Sequence, residues 1–120
     1  MKHILGYICG SHSWGGLEMN QLKNCKWMQE RGHEVRLLCK INSPIQKQAL
    51  NQNIKTIIIP EHSRYKYLFS GIELKKIIQL EEITHLIARS SNDLNICALA
   101  KRFSKKKFKL YYFMEMQLGV

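Results

Sequence analysis

The 120-residue sequence predicts an α/β fold: a doubly wound, Rossmann-like parallel sheet of about five strands with helices on both faces. Apolar runs alternate with amphipathic ones along the whole chain. That alternation favours parallel strands joined by right-handed helical crossovers. Runs such as Ile57-Ile58-Ile59 and residues 110–114 are apolar without interruption, as expected of strands covered on both faces. The chain carries no repeat, low-complexity tract or internal linker, and its length suits one domain.

Residues 3–9 (HILGYIC) read as a first strand, and residues 17–32 as a first helix. In that helix Met19, Leu22, Cys25 and Met28 recur every three residues, and Gly32 stands where a C-cap belongs. Residues 33–40 form a second strand. In residues 42–53, Ser43 is the expected N-cap, Pro44 the first helical residue and Gln46 the closing member of a capping box. Residues 55–60 (KTIIIP) give a third strand stopped by Pro60. Residues 60–70 are too polar for a strand and too irregular for a helix, so they are expected to be the longest loop. The third helix, residues 71–82, aligns Leu74, Ile77 and Ile78 on one face. Residues 84–90 form a fourth strand. The fourth helix, residues 92–106, is opened by Asn92 and Asp93 and carries Leu94, Cys97, Ala98 and Ala100 through its middle. Residues 108–114 form a fifth strand.

No apolar run approaches the roughly 20 residues of a membrane span. The N-terminal apolar stretch is too short for a signal peptide, which points to the cytoplasm. None of Cys9, Cys25, Cys39 and Cys97 stands in a CxxC pair, and their separations match no zinc site. Buried free thiols in a reducing compartment are the expectation, with no metal or cofactor. A net charge of +10 predicts an anionic partner: nucleic acid, a membrane surface or a phosphorylated ligand.

In a doubly wound sheet, ligands bind beyond the carboxyl ends of the strands where strand order reverses. With the order 3-2-1-4-5, the reversal lies between strands one and four. The segment GSHSWGG after strand one then faces RSSND after strand four. Adjacent glycines, Gly15 and Gly16, open the first helix. Bare backbone there lets N–H groups approach an anion, and the helix N-terminus adds positive potential. Tight-turn geometry explains such a pair equally well. The spacing fits neither GxGxxG nor a P-loop.

The stretch WGGLEMNQLKNCKWMQERGHEVRLLC combines Gly15, Gly16 and Glu18 with Arg31, Gly32, His33, Glu34 and Val35. It resembles the N-terminal domain of GT-B fold, family 4-type glycosyltransferases, and LEEITHLIARSSND resembles a later stretch of that domain. The resemblance covers essentially the whole chain. It implies that residues 1–120 are the single Rossmann-like, acceptor-side domain of a two-domain enzyme. Such an enzyme moves a sugar, usually with retention, from a nucleotide-sugar donor to a glycan or lipid-linked acceptor of the cell envelope. The donor-binding C-terminal domain, with its Glu-x7-Glu motif, is not in these residues, so this chain alone is expected to be inactive.

On this reading Gly15, Gly16 and Arg89 face the donor diphosphate, through backbone N–H groups and a guanidinium. Many family members carry histidine near position 89. Glu115 stands where the family places a histidine or carboxylate that can take up a proton. Ser11, His12, Glu18 and Ser90 are candidate acceptor contacts; Glu18 equally suits the positive end of a helix. Residues 101–109 hold six cations and no acid, among them Lys101, Arg102, Lys105, Lys106 and Lys107. They form a candidate patch for the inner membrane face. Residues 62–69 interleave Arg64 and Lys66 with Tyr65, Tyr67 and Phe69, a pattern suited to stacking or to an interface. The alternative is a basic module for nucleic acid or another anion, but no helix-turn-helix, RRM or KH signature supports nucleic acid.

Overall fold

A computed structural model describes residues 3–59, 67–89, 91–104 and 108–112. The elements are β1 (Ile4–Cys9), α1 (Gly16–Glu30), β2 (Glu34–Cys39), α2 (Pro44–Asn51), β3 (Thr56–Ile58), α3 (Tyr67–Leu80), β4 (His85–Ala88), α4 (Ser91–Phe103) and β5 (Lys109–Tyr112). All pairings are parallel, and the order is β3-β2-β1-β4-β5. The order reverses between β1 and β4, as the alternation implies. Register there pairs Leu5 with His85 and Ile8 with Ala88. Thr84 fastens the start of this pair, its Oγ1 accepting from the Ile4 N–H at 2.9 Å.

Strand side chains alternate between two cores. Ile4, Ile8, Leu38, Leu86 and Ala88 pack with Leu74 and Ile78 of α3 and Ile96, Cys97 and Ala100 of α4. Leu5, Tyr7, Cys9, Leu37 and Cys39 pack on the other face with Leu22 and Cys25 of α1 and Ile45 and Ala49 of α2. The α3–α4 contact is close: a Cβ at Gly71 would stand 2.8 Å from the Leu99 Cβ.

Local signals fix the ends of several elements. After α1, the Gly32 N–H donates to the Gln29 carbonyl at 3.1 Å and the His33 N–H to the Met28 carbonyl at 3.2 Å. This is the Schellman arrangement, and Gly32 takes the left-handed conformation (φ 93°) that it needs. At α2 the Ser43 side chain accepts from the Gln46 N–H, and Gln46 Oε1 reaches back to the Asn42 N–H at 2.6 Å.

The structure corrects three expectations. Residues 67–70, with Tyr67 and Phe69, belong to α3 rather than to the expected loop; residues 60–66, with Arg64, Tyr65 and Lys66, lie outside the described residues. The first helix buries Gln21 where the stripe predicted Met19, which is 43% exposed. Two-sided cover fails at both sheet edges: Ile58 is 40% and Tyr111 42% exposed. β3 ends the sheet on one side and β5 on the other, while Ile87 of β4 is buried in the core with α1 and α2.

Candidate functional site

The loop after β1 lies at the reversal, beside the end of β4. Three buried polar side chains shape it. Asp93, at the start of α4, accepts the Gly10 N–H on both carboxylate oxygens, at 3.2 and 3.1 Å. Glu18, in the first turn of α1, accepts from the Ser11 hydroxyl at 2.9 Å. Gln21 donates through Nε2 to the Ile8 carbonyl at 2.7 Å. Ser11 Oγ also accepts from the Ser13 N–H at 2.9 Å. Ser11 and Glu18 therefore serve the shape of the loop, and His12 is exposed beside them.

Gly15 is the N-cap of α1 and is extended (φ −145°), a conformation any residue adopts. A Cβ on Gly15 would meet only the Glu18 Oε2, at an ordinary 3.7 Å, and one on Gly16 would meet nothing within 4 Å. Glycine suits Gly15 as an N-cap, but packing among the described residues calls for glycine at neither position. Packing gives the tight-turn explanation no support here, and among the described residues the backbone at Gly16 faces open space.

Arg89 follows β4 and points under α1. It lines a cavity of about 390 Å³ whose floor is Leu5 and Tyr7 of β1, His85 and Ile87 of β4 and Tyr111 of β5. Asn24, Trp27 and Met28 of α1 form its wall. Gly15 and Gly16 are not among its walls, so Arg89 and the glycines occupy neighbouring strand ends without lining one described cavity. Burial raises the Tyr7 hydroxyl to about 12, with the Cys25 thiol adding to the shift and the Arg89 cation opposing it. His85 is lowered by its partial burial, by His3, whose ring centroid is 5.1 Å away, and by Lys109.

Ser90, Lys105, Lys106, Lys107 and Glu115 lie outside the described residues. Lys101 and Arg102 are exposed in the last turn of α4. α4 starts at the carboxyl edge of the sheet and ends at its amino edge, so these cations sit opposite the glycine loop. All four cysteines are free and buried. Desolvation raises their thiols, Cys9 to about 12 and Cys39 to about 11, so none is poised as a nucleophile. Among the described residues, no cluster of three or more His, Cys, Asp and Glu suits a metal, and no helix is long and apolar enough to cross a membrane.

Sequence reasoning overlooked Asp93 and Gln21 as loop anchors. Asp93 looked like an ordinary helix opener, and its bond to Gly10 exists only because β1 and β4 are neighbours. The cavity was also missed, because Tyr7, Trp27, His85 and Tyr111 are scattered in sequence.

No family model and no curated protein matches the chain in sequence. Its fold matches a glycosyltransferase from Rickettsia africae ESF-5 (TM-score 0.74, 16% identity, 94% of this chain and 29% of that one). It also matches the Acinetobacter baumannii MurG protein (TM-score 0.72, 14% identity, 95% of this chain and 35% of that one). The chain thus spans about a third of the length of each structure whose fold it shares.

Proposed function

We propose that this chain is the acceptor-side half of a glycosyltransferase, acting on a nucleotide-sugar donor together with a second, donor-binding domain. One observation carries the reading. Two glycines that packing among the described residues does not require stand at the mouth of α1, at the topological switch point, with no described side chain closer than an ordinary contact beside them. Backbone N–H groups there stabilise a diphosphate leaving group as oriented dipoles, with the helix end adding positive potential. The match to a glycosyltransferase fold supports this use of the loop.

Arg89 supplies a nearby permanent cation for the donor phosphates. His12 and Ser90 contact the acceptor, Ser11 and Glu18 hold the loop that presents it, and Glu115 takes the acceptor proton. Lys101 and Arg102, with Lys105, Lys106 and Lys107, dock the protein at the inner membrane face. A six-residue strand such as β1 spans about 20 Å, so docking by that patch holds the glycine loop roughly that far from the lipid. This favours an acceptor whose reacting end projects from the membrane, such as a growing glycan on a lipid carrier.

Amide shifts of the chain on titration with UDP-, GDP- and ADP-sugars test the proposal. Saturable shifts centred on Gly15 and Gly16, with Kd on the order of millimolar for a half-site, are expected from one member of the panel. Shifts confined to the exposed lysines, or none, contradict it.

A further inference from the structure

Two histidines far apart in sequence meet at the amino edge of the sheet. His3 precedes β1, and His85 opens β4 opposite Leu5 in register, so alternation puts both side chains on the α1 face. Their ring centroids are 5.1 Å apart. Two imidazoles bound to one metal through nitrogens about 2 Å from it place their ring centres roughly 5 Å apart at a tetrahedral angle. The pair already has the separation that a shared ion requires.

The His85 ring is held by its other neighbours. Its Nδ1 lies 2.8 Å from the Thr84 Oγ1, and its face stacks on Tyr111 with centroids 6.0 Å apart and planes 9° from parallel. Thr84 is fixed in turn to the backbone of Ile4, its Oγ1 accepting from the N–H at 2.9 Å and donating to the carbonyl at 3.2 Å. With the hydroxyl proton on that carbonyl, Oγ1 accepts from the His85 Nδ1–H, and the ring's lone pair stands at Nε2. Metal-ligating histidines are held in this way, the second nitrogen donating to an oxygen. His3 is exposed and makes no hydrogen bond among the described residues, so its ring can turn a nitrogen to the same point.

The surroundings select the kind of ion. Lys109 stands opposite His85 in register on β5, and the chain carries a net charge of +10. Among the described residues no carboxylate or thiol joins the pair. Magnesium and calcium, which favour carboxylate oxygens, are not served there. Copper, nickel and zinc ions bind neutral imidazole through its lone pair.

We propose that His3 and His85 together bind one divalent copper, nickel or zinc ion, with water in the remaining positions, and that the ion clips the start of β1 to the start of β4. The proposal is independent of the transferase reading, because the pair lies at the opposite edge of the sheet from the glycine loop and shares no residue with it.

The test titrates the chain with zinc, read from the ring nitrogen resonances of all five histidines, from calorimetry and from melting temperature. Zinc is expected to move His85 Nε2 and one ring nitrogen of His3 at one ion per chain, and to raise the melting temperature. Copper is expected to bind more tightly than nickel or zinc, and magnesium to produce no shift. His3→Gln and His85→Gln are each expected to weaken zinc at least about tenfold, and Thr84→Val, which removes the oxygen behind Nδ1, about tenfold, with circular dichroism unchanged. Lys109→Gln is expected to tighten binding severalfold by removing a nearby like charge. The triple variant His12→Gln/His33→Gln/His62→Gln is expected to keep full affinity. Zinc that binds equally to either single variant, or that moves only His12, His33 or His62, is an adventitious ion and overturns the proposal. So does the absence of a saturable shift below about 1 mM zinc.

Discussion

Asp93 shows what a single carboxylate does in this fold. Its two bonds to the Gly10 N–H tie the loop after β1 to the start of α4 across the switch point. Asp93→Ala leaves a part-buried N–H without its acceptor. The expected loss is about 1–3 kcal/mol in chemical denaturation, with faster hydrogen exchange at Gly10. Glycines divide sharply by the same reasoning. Gly16→Ala meets nothing and gains helix propensity, so its melting temperature is expected to hold or rise. Gly71→Ala drives a Cβ against the Leu99 Cβ and is expected to cost about 1–3 kcal/mol. Leu99→Ala does not rescue it, because the opposing Cβ remains. The sequence marks all these glycines alike. Only the helix crossing and the open loop, both tertiary facts, separate them.

At the scale of elements, the legible features were those encoded within a few residues. The Ser43–Pro44–Gln46 start and the Gly32 stop are local hydrogen-bond chemistry, and the structure contains both. Gly32→Ala forces a Cβ into the left-handed region and is expected to cost about 1 kcal/mol by thermal unfolding. What local reading missed was tertiary. Polar and aromatic residues before Gly71 hid the first turn of α3. Met19 fell on the exposed side of α1 while Gln21 turned inward to meet the Ile8 carbonyl. A buried glutamine satisfied by a strand carbonyl has no periodic signature.

Over the whole molecule, strand order was legible because right-handed crossovers leave few arrangements for five alternating strands. The exposure of the edge residues Ile58 and Tyr111 was not, since an apolar run reads the same whether or not another element covers it. The cores also predict a pH response. Cys9 and Cys39 rise from 9.0 to about 12 and 11, and Tyr7 from 10.0 to about 12, through burial. These groups ionise first in the unfolded chain, so their contribution is complete below pH 9 and is lost as pH rises through 9 to 12. Melting temperature is therefore expected to fall steadily across that range, and Cys39→Ala to flatten part of the slope. His85 acts in the opposite direction. Its lowered value makes the unfolded chain the better proton acceptor, so stability declines as pH falls below about 6.5, and His85→Gln removes that part of the decline.

The glycine pair is the hinge between fold and function, and one paired measurement addresses it. The double variant Gly15→Ala/Gly16→Ala and the unaltered chain are compared for melting temperature and for binding of the nucleotide sugar selected from the panel. Unchanged melting with binding weakened about tenfold or more is the predicted result, since the methyl groups meet no described atom closely and stand where we propose that a diphosphate approaches. Unchanged binding, or a fall in melting temperature large enough to explain the loss, would mean that the glycines serve the fold and not a ligand.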